Sequence, residues 1–326
     1  MIKLRFQNLA PLAAIIHIIV FSILAMSCNE NQKEKSSASS HQANDEAKSG
    51  DEESDTDPLT SQDESDTTAQ QQSAPDDAEP TVDFCGRQWP LSTKNIVCVE
   101  PQDSPKPLDI QPLSKLKELT NVSLNGTSVE NLSPISKLVN IEELSLNNTP
   151  VKDLTPLATL QNLRWLSLAE VTNVGEFHPL KSLVNLEYLY IGNNSHFDEP
   201  TITINMTKLS HFDASYTGLK TVPRFSPKTR IKTLILSGTK IEDINTIDNL
   251  TNLEELMVDR TSISDLSPVT TLAKLKELNI SSTSVINVAP LQSLSALQKL
   301  KVYKTKIKNF EPVSEIKGLK IYGRPE

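Results

Sequence analysis

The chain has 326 residues, a net charge of −9 and only 5% aromatic residues. That length suits one large domain or two small ones. The charge is unevenly placed: residues 29–80 carry 15 Asp and Glu against 3 Lys, which leaves residues 81–326 at about +1 and excludes an overall bias of that part toward nucleic acid or another polyion.

Residues 1–27 read as an export signal. Lys3 and Arg5 precede an apolar run from Ala13 to Ala25 that is too short and wrongly flanked for an ordinary transmembrane helix. The run ends in "LAMSC", which resembles the lipobox of bacterial lipoproteins, with Ala25 where that family usually has Leu and Leu24 one place early. The resemblance implies cleavage before Cys28, lipidation of Cys28 and attachment to a membrane through the N-terminal lipid. A plain secretory signal is the alternative. Asn29 rather than Asp follows the cysteine; with the lipoprotein resemblance, this gives an expected location in the cell envelope, at the outer membrane or cell surface. Residues 28–80 hold a single large apolar residue, Leu59, among acidic and small polar ones. Too little apolar surface is available there to offset chain entropy, so a disordered, self-repelling acidic tether is expected; an acidic binding tail is the other reading.

Residues 81–118 read as an N-terminal cap with an atypical first repeat around Leu113 and Leu116. The cap contains "FCGRQWPLSTKNIVC". In an oxidising compartment, Cys85 and Cys98 are expected to form a disulfide contributing about 2–4 kcal/mol. Trp89 is expected to cover the core of the first repeat. The spacing and the lack of a nearby His argue against a metal or redox site.

From Leu119 to residue 318 the sequence repeats. The unit LxxLxLxxTxVxxLxPLxxLxx begins at Leu119, Ile141, Leu163, Leu186, Leu209, Ile231, Leu253, Leu275 and Leu297, at intervals of 22 with two of 23. The LxL pair has the period of a strand with one buried face. Ser or Thr followed by Pro, as at Ser133-Pro134, Thr155-Pro156 and Ser267-Pro268, signals a helix start with a Ser/Thr cap. Only about six residues remain before the next strand, so the helix is one or two turns and 3₁₀ geometry suits it. Thr127, Thr149, Thr217, Thr239, Thr261, Thr283 and Thr305 recur at the ninth position among apolar neighbours. They are expected to point inward and bond turn backbone. The segments "SHFDEPTITINM" and "VPRFSPKTR" lack the helix start and are expected to be extended.

Nine such units are similar to the 22-residue leucine-rich repeats of bacterial internalins, although that family often has Asn where Thr stands here. The resemblance covers roughly residues 85–326. It implies an α/β fold: a right-handed solenoid with a parallel sheet on its concave face and short helices or 3₁₀ turns on its convex face. Residues 319–326 are a C-terminal cap. Lys299, Lys301, Lys304, Lys306 and Lys308 read either as edge protection or as an anion-binding run.

Template positions 3, 5, 7 and 8 face out of the sheet. The first two repeats offer small polar residues there, such as Asn121, Ser145 and Asn147. Trp165, Tyr188 and His211 should form one row, and Tyr190, Ile235 and Met257 a neighbouring one. With Asp213, Tyr216, Asp259 and Arg260 they compose a partner-binding patch with hot-spot chemistry. No phosphate loop, nucleophile–base set or metal cluster is apparent, so the expectation is a non-enzyme with no cofactor and no metal. The chain is expected to be a monomer that binds a protein or peptide on the concave face and no nucleic acid. Glycan or peptidoglycan binding and a passive structural role in the envelope are the alternatives.

Overall fold

The computed structural model describes residues 79–101 and 103–324, so the signal, Cys28 and the expected tether lie outside the described residues apart from Glu79 and Pro80. An antiparallel hairpin, β1 (Thr81–Phe84) and β2 (Arg87–Pro90), comes first. Eleven strands of three residues then pair in parallel and in chain order into one sheet: β3 (Asn95–Val97), β4 (Asn121–Ser123), β5 (Glu143–Ser145), β6 (Trp165–Ser167), β7 (Tyr188–Tyr190), β8 (His211–Asp213), β9 (Thr233–Ile235), β10 (Glu255–Met257), β11 (Glu277–Asn279), β12 (Lys299–Lys301) and β13 (Lys320–Tyr322). This is the leucine-rich repeat solenoid, with the sheet on the concave side. No repeat can bury its own leucines. Leu253, Leu256 and Val258 of one repeat are fully buried only because the equivalent residues of its neighbours stack on them.

The convex segments are 3₁₀ turns, including Ser133–Ile135, Thr155–Thr159, Ser267–Thr271 and Ala289–Ser293. Their start differs from the sequence expectation. Where the sequence has Ser or Thr before Pro, that residue is the first helical one, and the residue before it makes no side-chain cap. The cap comes from Asn or Asp two places earlier: Asn131 accepts from the Ser133 N–H at 2.9 Å, Asp153 from Thr155 at 2.8 Å and Asp265 from Ser267 at 2.8 Å. These are Asx turns, in which a short side chain mimics the backbone.

The threonine ladder is present. Each hydroxyl donates to the carbonyl three residues back, at 2.7 Å for Thr127 to Leu124, 2.7 Å for Thr239 to Leu236 and 2.6 Å for Thr283 to Ile280. The third repeat has Val171 at this position and cannot serve the Leu168 carbonyl. Asn194 of the next repeat does so instead, its amide donating to Leu168 and Ile191, each at 2.8 Å.

The eighth position is left-handed in all nine repeats, from Gly126 (φ 68°) through Asn148, Glu170, Asn193, Tyr216, Gly238, Arg260 and Ser282 to Lys304 (φ 57°). The strand must turn sharply there, at a cost of about 1 kcal/mol for a residue with a Cβ.

At the N-terminal end the Cys85–Cys98 disulfide joins the hairpin to the first sheet strand. Val82 and Phe84 enter the core, whereas Trp89 is only half buried and donates its Nε1–H to the Phe84 carbonyl at 2.9 Å. The core end is thus plugged by β1, and Trp89 packs against it as a half-buried cover. In the fourth repeat the convex segment is a run of turns over residues 200–205 instead of extended chain; in the fifth, residues 222–225 form no helix or strand. The lysine run does not sit on the sheet edge, because β13 pairs beyond β12. Lys299 and Lys301 both pair with Glu277, at 3.0 and 2.7 Å.

Candidate functional site: an aromatic patch on the concave sheet

Strand register sets the patch. Trp165, Tyr188 and His211 lie side by side across β6, β7 and β8. Tyr190, Asp213, Ile235 and Met257 lie side by side across β7 to β10. The alternating residues Leu166, Leu189, Phe212, Leu234 and Leu256 are fully buried beneath them, so the strand period forces these seven side chains outward.

The rings pack on one another. Trp165 and Tyr190 have centroids 5.6 Å apart at 48°, and Tyr188 stacks on His211 at 4.5 Å and 17°. Each is half buried as a result. Tyr216 and Arg260 sit on the rim at left-handed positions two repeats apart. The Arg260 guanidinium bonds the Tyr216 hydroxyl and lies 5.7 Å from its ring centre. Gly238 makes this reach possible, since a Cβ there would fall 2.6 Å from the Tyr216 ring. Asp259 is engaged within the sheet face: its Oδ1 accepts from the Ser237 hydroxyl at 2.6 Å and the Asn279 amide at 2.8 Å.

Electrostatics follow from this packing. Burial pushes the Tyr190 hydroxyl up to about 12, reinforced by Asp213 and Tyr188. Burial and Lys232 hold His211 below its ordinary value, against an opposing pull from Glu254. Burial raises Asp213 above the usual carboxylate range, although Ser215 bonds oppose the rise.

The Ser210 hydroxyl lies 2.8 Å from His211 Nδ1, a pairing that invites a catalytic reading. The same hydroxyl also lies 3.0 Å from the Glu187 carbonyl, which already accepts the Ser210 and His211 N–H groups, so the direction of the Ser210–His211 bond follows the tautomer of the ring. Among the described residues no group of three or more His, Cys, Asp or Glu could hold a metal ion.

Sequence reasoning misread one part of this face. Ser145, Asn147 and Ser167 are buried and not an open polar surface. Asn125 Oδ1 accepts from the Ser145 hydroxyl at 2.5 Å, and Asn147 Oδ1 from the Ser167 hydroxyl at 2.6 Å and the Ala169 N–H at 2.8 Å. The recurrence of Asn at one template position in the first two repeats is the signal that could have revealed this ladder.

The class defined by this fold and face is the leucine-rich repeat solenoid with a decorated concave sheet. No protein-family model matches the chain, and no curated protein matches it in sequence. Solved structures do match. An internalin (inlF) of Listeria monocytogenes superposes with a TM-score of 0.52 at 19% identity, covering 74% of this chain and 91% of its own. The functional domain of InlJ, also of Listeria monocytogenes, gives 0.61 at 17% identity, covering 71% and 48%. A plant peptide hormone receptor, RGFR1, in complex with RGF2, gives 0.50 at 19% identity, covering 64% and 40%. These likenesses establish the fold.

Proposed function

We propose that the chain is an exported, lipid-anchored binding protein of the bacterial envelope, which holds a protein or peptide partner on its concave sheet. Cys28 carries the lipid, residues 28–80 space the solenoid from an outer membrane or cell surface, and the protein acts as a monomer without enzymatic activity. The observation that carries the binding role is the in-register aromatic cluster of Trp165, Tyr188, Tyr190 and His211. Other repeats place non-aromatic residues, from Ser123 and Ser145 to Thr233 and Glu255, at the same positions and still pair in the same sheet, so the rings exceed what the sheet needs. A plant peptide hormone receptor with the same fold, solved in complex with RGF2, supports a peptide-binding use of the fold.

The test is crosslinked capture from the envelope of the producing cell by the wild-type chain and by Trp165→Ala/Tyr188→Ala. Rings at an interface centre are worth about 2 kcal/mol or more each. The double variant should lose capture by at least about thirtyfold while its thermal midpoint moves by only a few degrees. Unchanged capture would refute the patch, and a collapse of stability would make the rings structural. Aromatic rings also stack on sugars; protease treatment of the extract that leaves capture intact would move the assignment to a glycan.

A further inference from the structure

We infer that Asp213 anchors this face by pairing with a Lys or Arg side chain on an extended segment of the partner; this rests on the concave-face reading above and narrows it to a cationic peptide chemistry. The residues in register with Asp213 on β4 to β12 are Ser123, Ser145, Ser167, Tyr190, Ile235, Met257, Asn279 and Lys301, so Asp213 is the one carboxylate in that row.

Some carboxylates on or beside the sheet face have cations; Asp259 instead accepts from Ser237 and Asn279, and Glu255 from Thr233 at 3.4 Å. Glu187 pairs with Arg164 at 2.8 Å, Glu254 with Lys276 at 2.6 Å and Glu277 with Lys301 at 2.7 Å. Among the described residues no cation pairs with Asp213; its Oδ1 accepts the Ser215 N–H at 2.8 Å, and the Ser215 side chain also bonds it. Asp213 is half-buried, and drawing a carboxylate even partly out of water without a counter-charge is unfavourable; such groups concentrate at functional sites. Its raised pKa agrees. A serine, as in three other strands of the row, would complete the sheet at lower cost.

The surroundings suit a cation on an aliphatic stem. Gly192 on the adjacent repeat keeps the space open, since a Cβ there would lie 3.0 Å from the Ser215 hydroxyl and 3.6 Å from Asp213 Oδ1. Tyr190 and His211 offer ring faces for a methylene stem or a guanidinium plane. The outward and rim positions from Glu142 to Lys276 carry eight carboxylates (Asp213 and Asp259 among them) against Arg164, Lys232, Arg260 and Lys276. That excess attracts a cationic segment and disfavours an acidic one.

The probes are a tetra-arginine peptide and its tetra-citrulline counterpart, which keeps the shape and removes the charge. Each is titrated into the described domain within its full exported chain and followed by backbone amide NMR. Saturable shifts at Tyr190, Asp213 and Ser215 are expected with tetra-arginine, at least tenfold weaker with tetra-citrulline. Asp213→Asn and Asp213→Ser should each weaken the arginine response at least tenfold and raise the thermal midpoint at pH 7. Arginine shifts that persist in both variants, or centre on Glu254 and Glu277, overturn the inference; so does the absence of any arginine response, or unfolding of both variants. The concave-face reading fails separately, through unchanged capture by Trp165→Ala/Tyr188→Ala.

Discussion

The sixth to eighth repeats and the third to fifth repeats build the same sheet by different means. In the former, Thr239, Thr261 and Thr283 fill the ninth position, 3₁₀ turns lie at Asn245–Ile247, Ser267–Thr271 and Ala289–Ser293, and Glu254 and Glu277 pair with lysines on neighbouring strands. In the latter, Val171 and Asn194 break the threonine series, two units have 23 residues, and no 3₁₀ turn forms in the fourth and fifth. Phe177, Phe197 and Phe212, the largest of the fully buried side chains, sit there. Bulky rings fill the interior where the regular leucine and 3₁₀ packing is interrupted. Sheet register survives, because it depends on strand pairing and the buried fourth-position residue. The irregular repeats are also the ones whose outward faces carry Trp165, Tyr188, Tyr190, His211 and Asp213. A solenoid tolerates local departure from its consensus, and the departure coincides with the most distinctive surface.

The sharpest way to break this comparison is at Asn194. It is fully buried, and its amide serves the Leu168, Ile191 and Gly192 carbonyls, while its own Oδ1 has no partner. Asn194→Ala orphans buried carbonyls at about 1–3 kcal/mol each, partly offset by removing that lone oxygen, so urea denaturation should show a loss of about 2–4 kcal/mol. Val171→Thr would supply the missing hydroxyl to Leu168. In that background the cost of Asn194→Ala should fall by about 1 kcal/mol; a strictly additive result would refute the idea that Asn194 substitutes for a threonine. In the regular repeats, Thr239→Val removes one hydroxyl bond at constant shape and should cost about 1 kcal/mol. Thr261→Val and Thr283→Val should match it, since their bonds to Val258 and Ile280 have the same geometry.

Much of this architecture was legible because one period of 22 fixes which side chains share a face. The strand positions, the inward threonines and the rows Trp165–Tyr188–His211 and Tyr190–Ile235–Met257 all follow from that register. What escaped was local and polar. The Asx turns compete with Ser/Thr capping on nearly equal terms, and only backbone geometry decides between Asn131 and Ser133. The left-handed eighth position was hinted at by Gly126, Asn148, Asn193 and Gly238, but Tyr216, Arg260 and Lys304 masked the pattern. The Asn125–Ser145 and Asn147–Ser167 bonds join residues twenty apart and need coordinates to be seen. Asp213 was recognised as part of the patch, but its lack of a cation partner was not, because ion pairing depends on side-chain reach between repeats.

The smallest effect tests the regular half through its exposed charges. Glu254 receives Lys276 at 2.6 Å and Lys232 at 3.6 Å. The Lys276 hydrogen bond is the main cause that holds its carboxyl below the ordinary range; burial opposes it next, and the Lys276 and Lys232 charges add to the lowering. A lowered folded-state pKa means that stability is present above the unfolded value and lost as pH falls through the folded one. The group is partly solvated, so Glu254→Gln should cost only about 0.5 kcal/mol at pH 7. That difference should shrink below about pH 4 as the wild-type carboxylate takes up its proton, and it should also shrink in molar salt. A cost that stayed constant through acid and salt would mean that Glu254 acts by packing, and the row of alternating charges would then contribute nothing electrostatic to the stacking of these repeats.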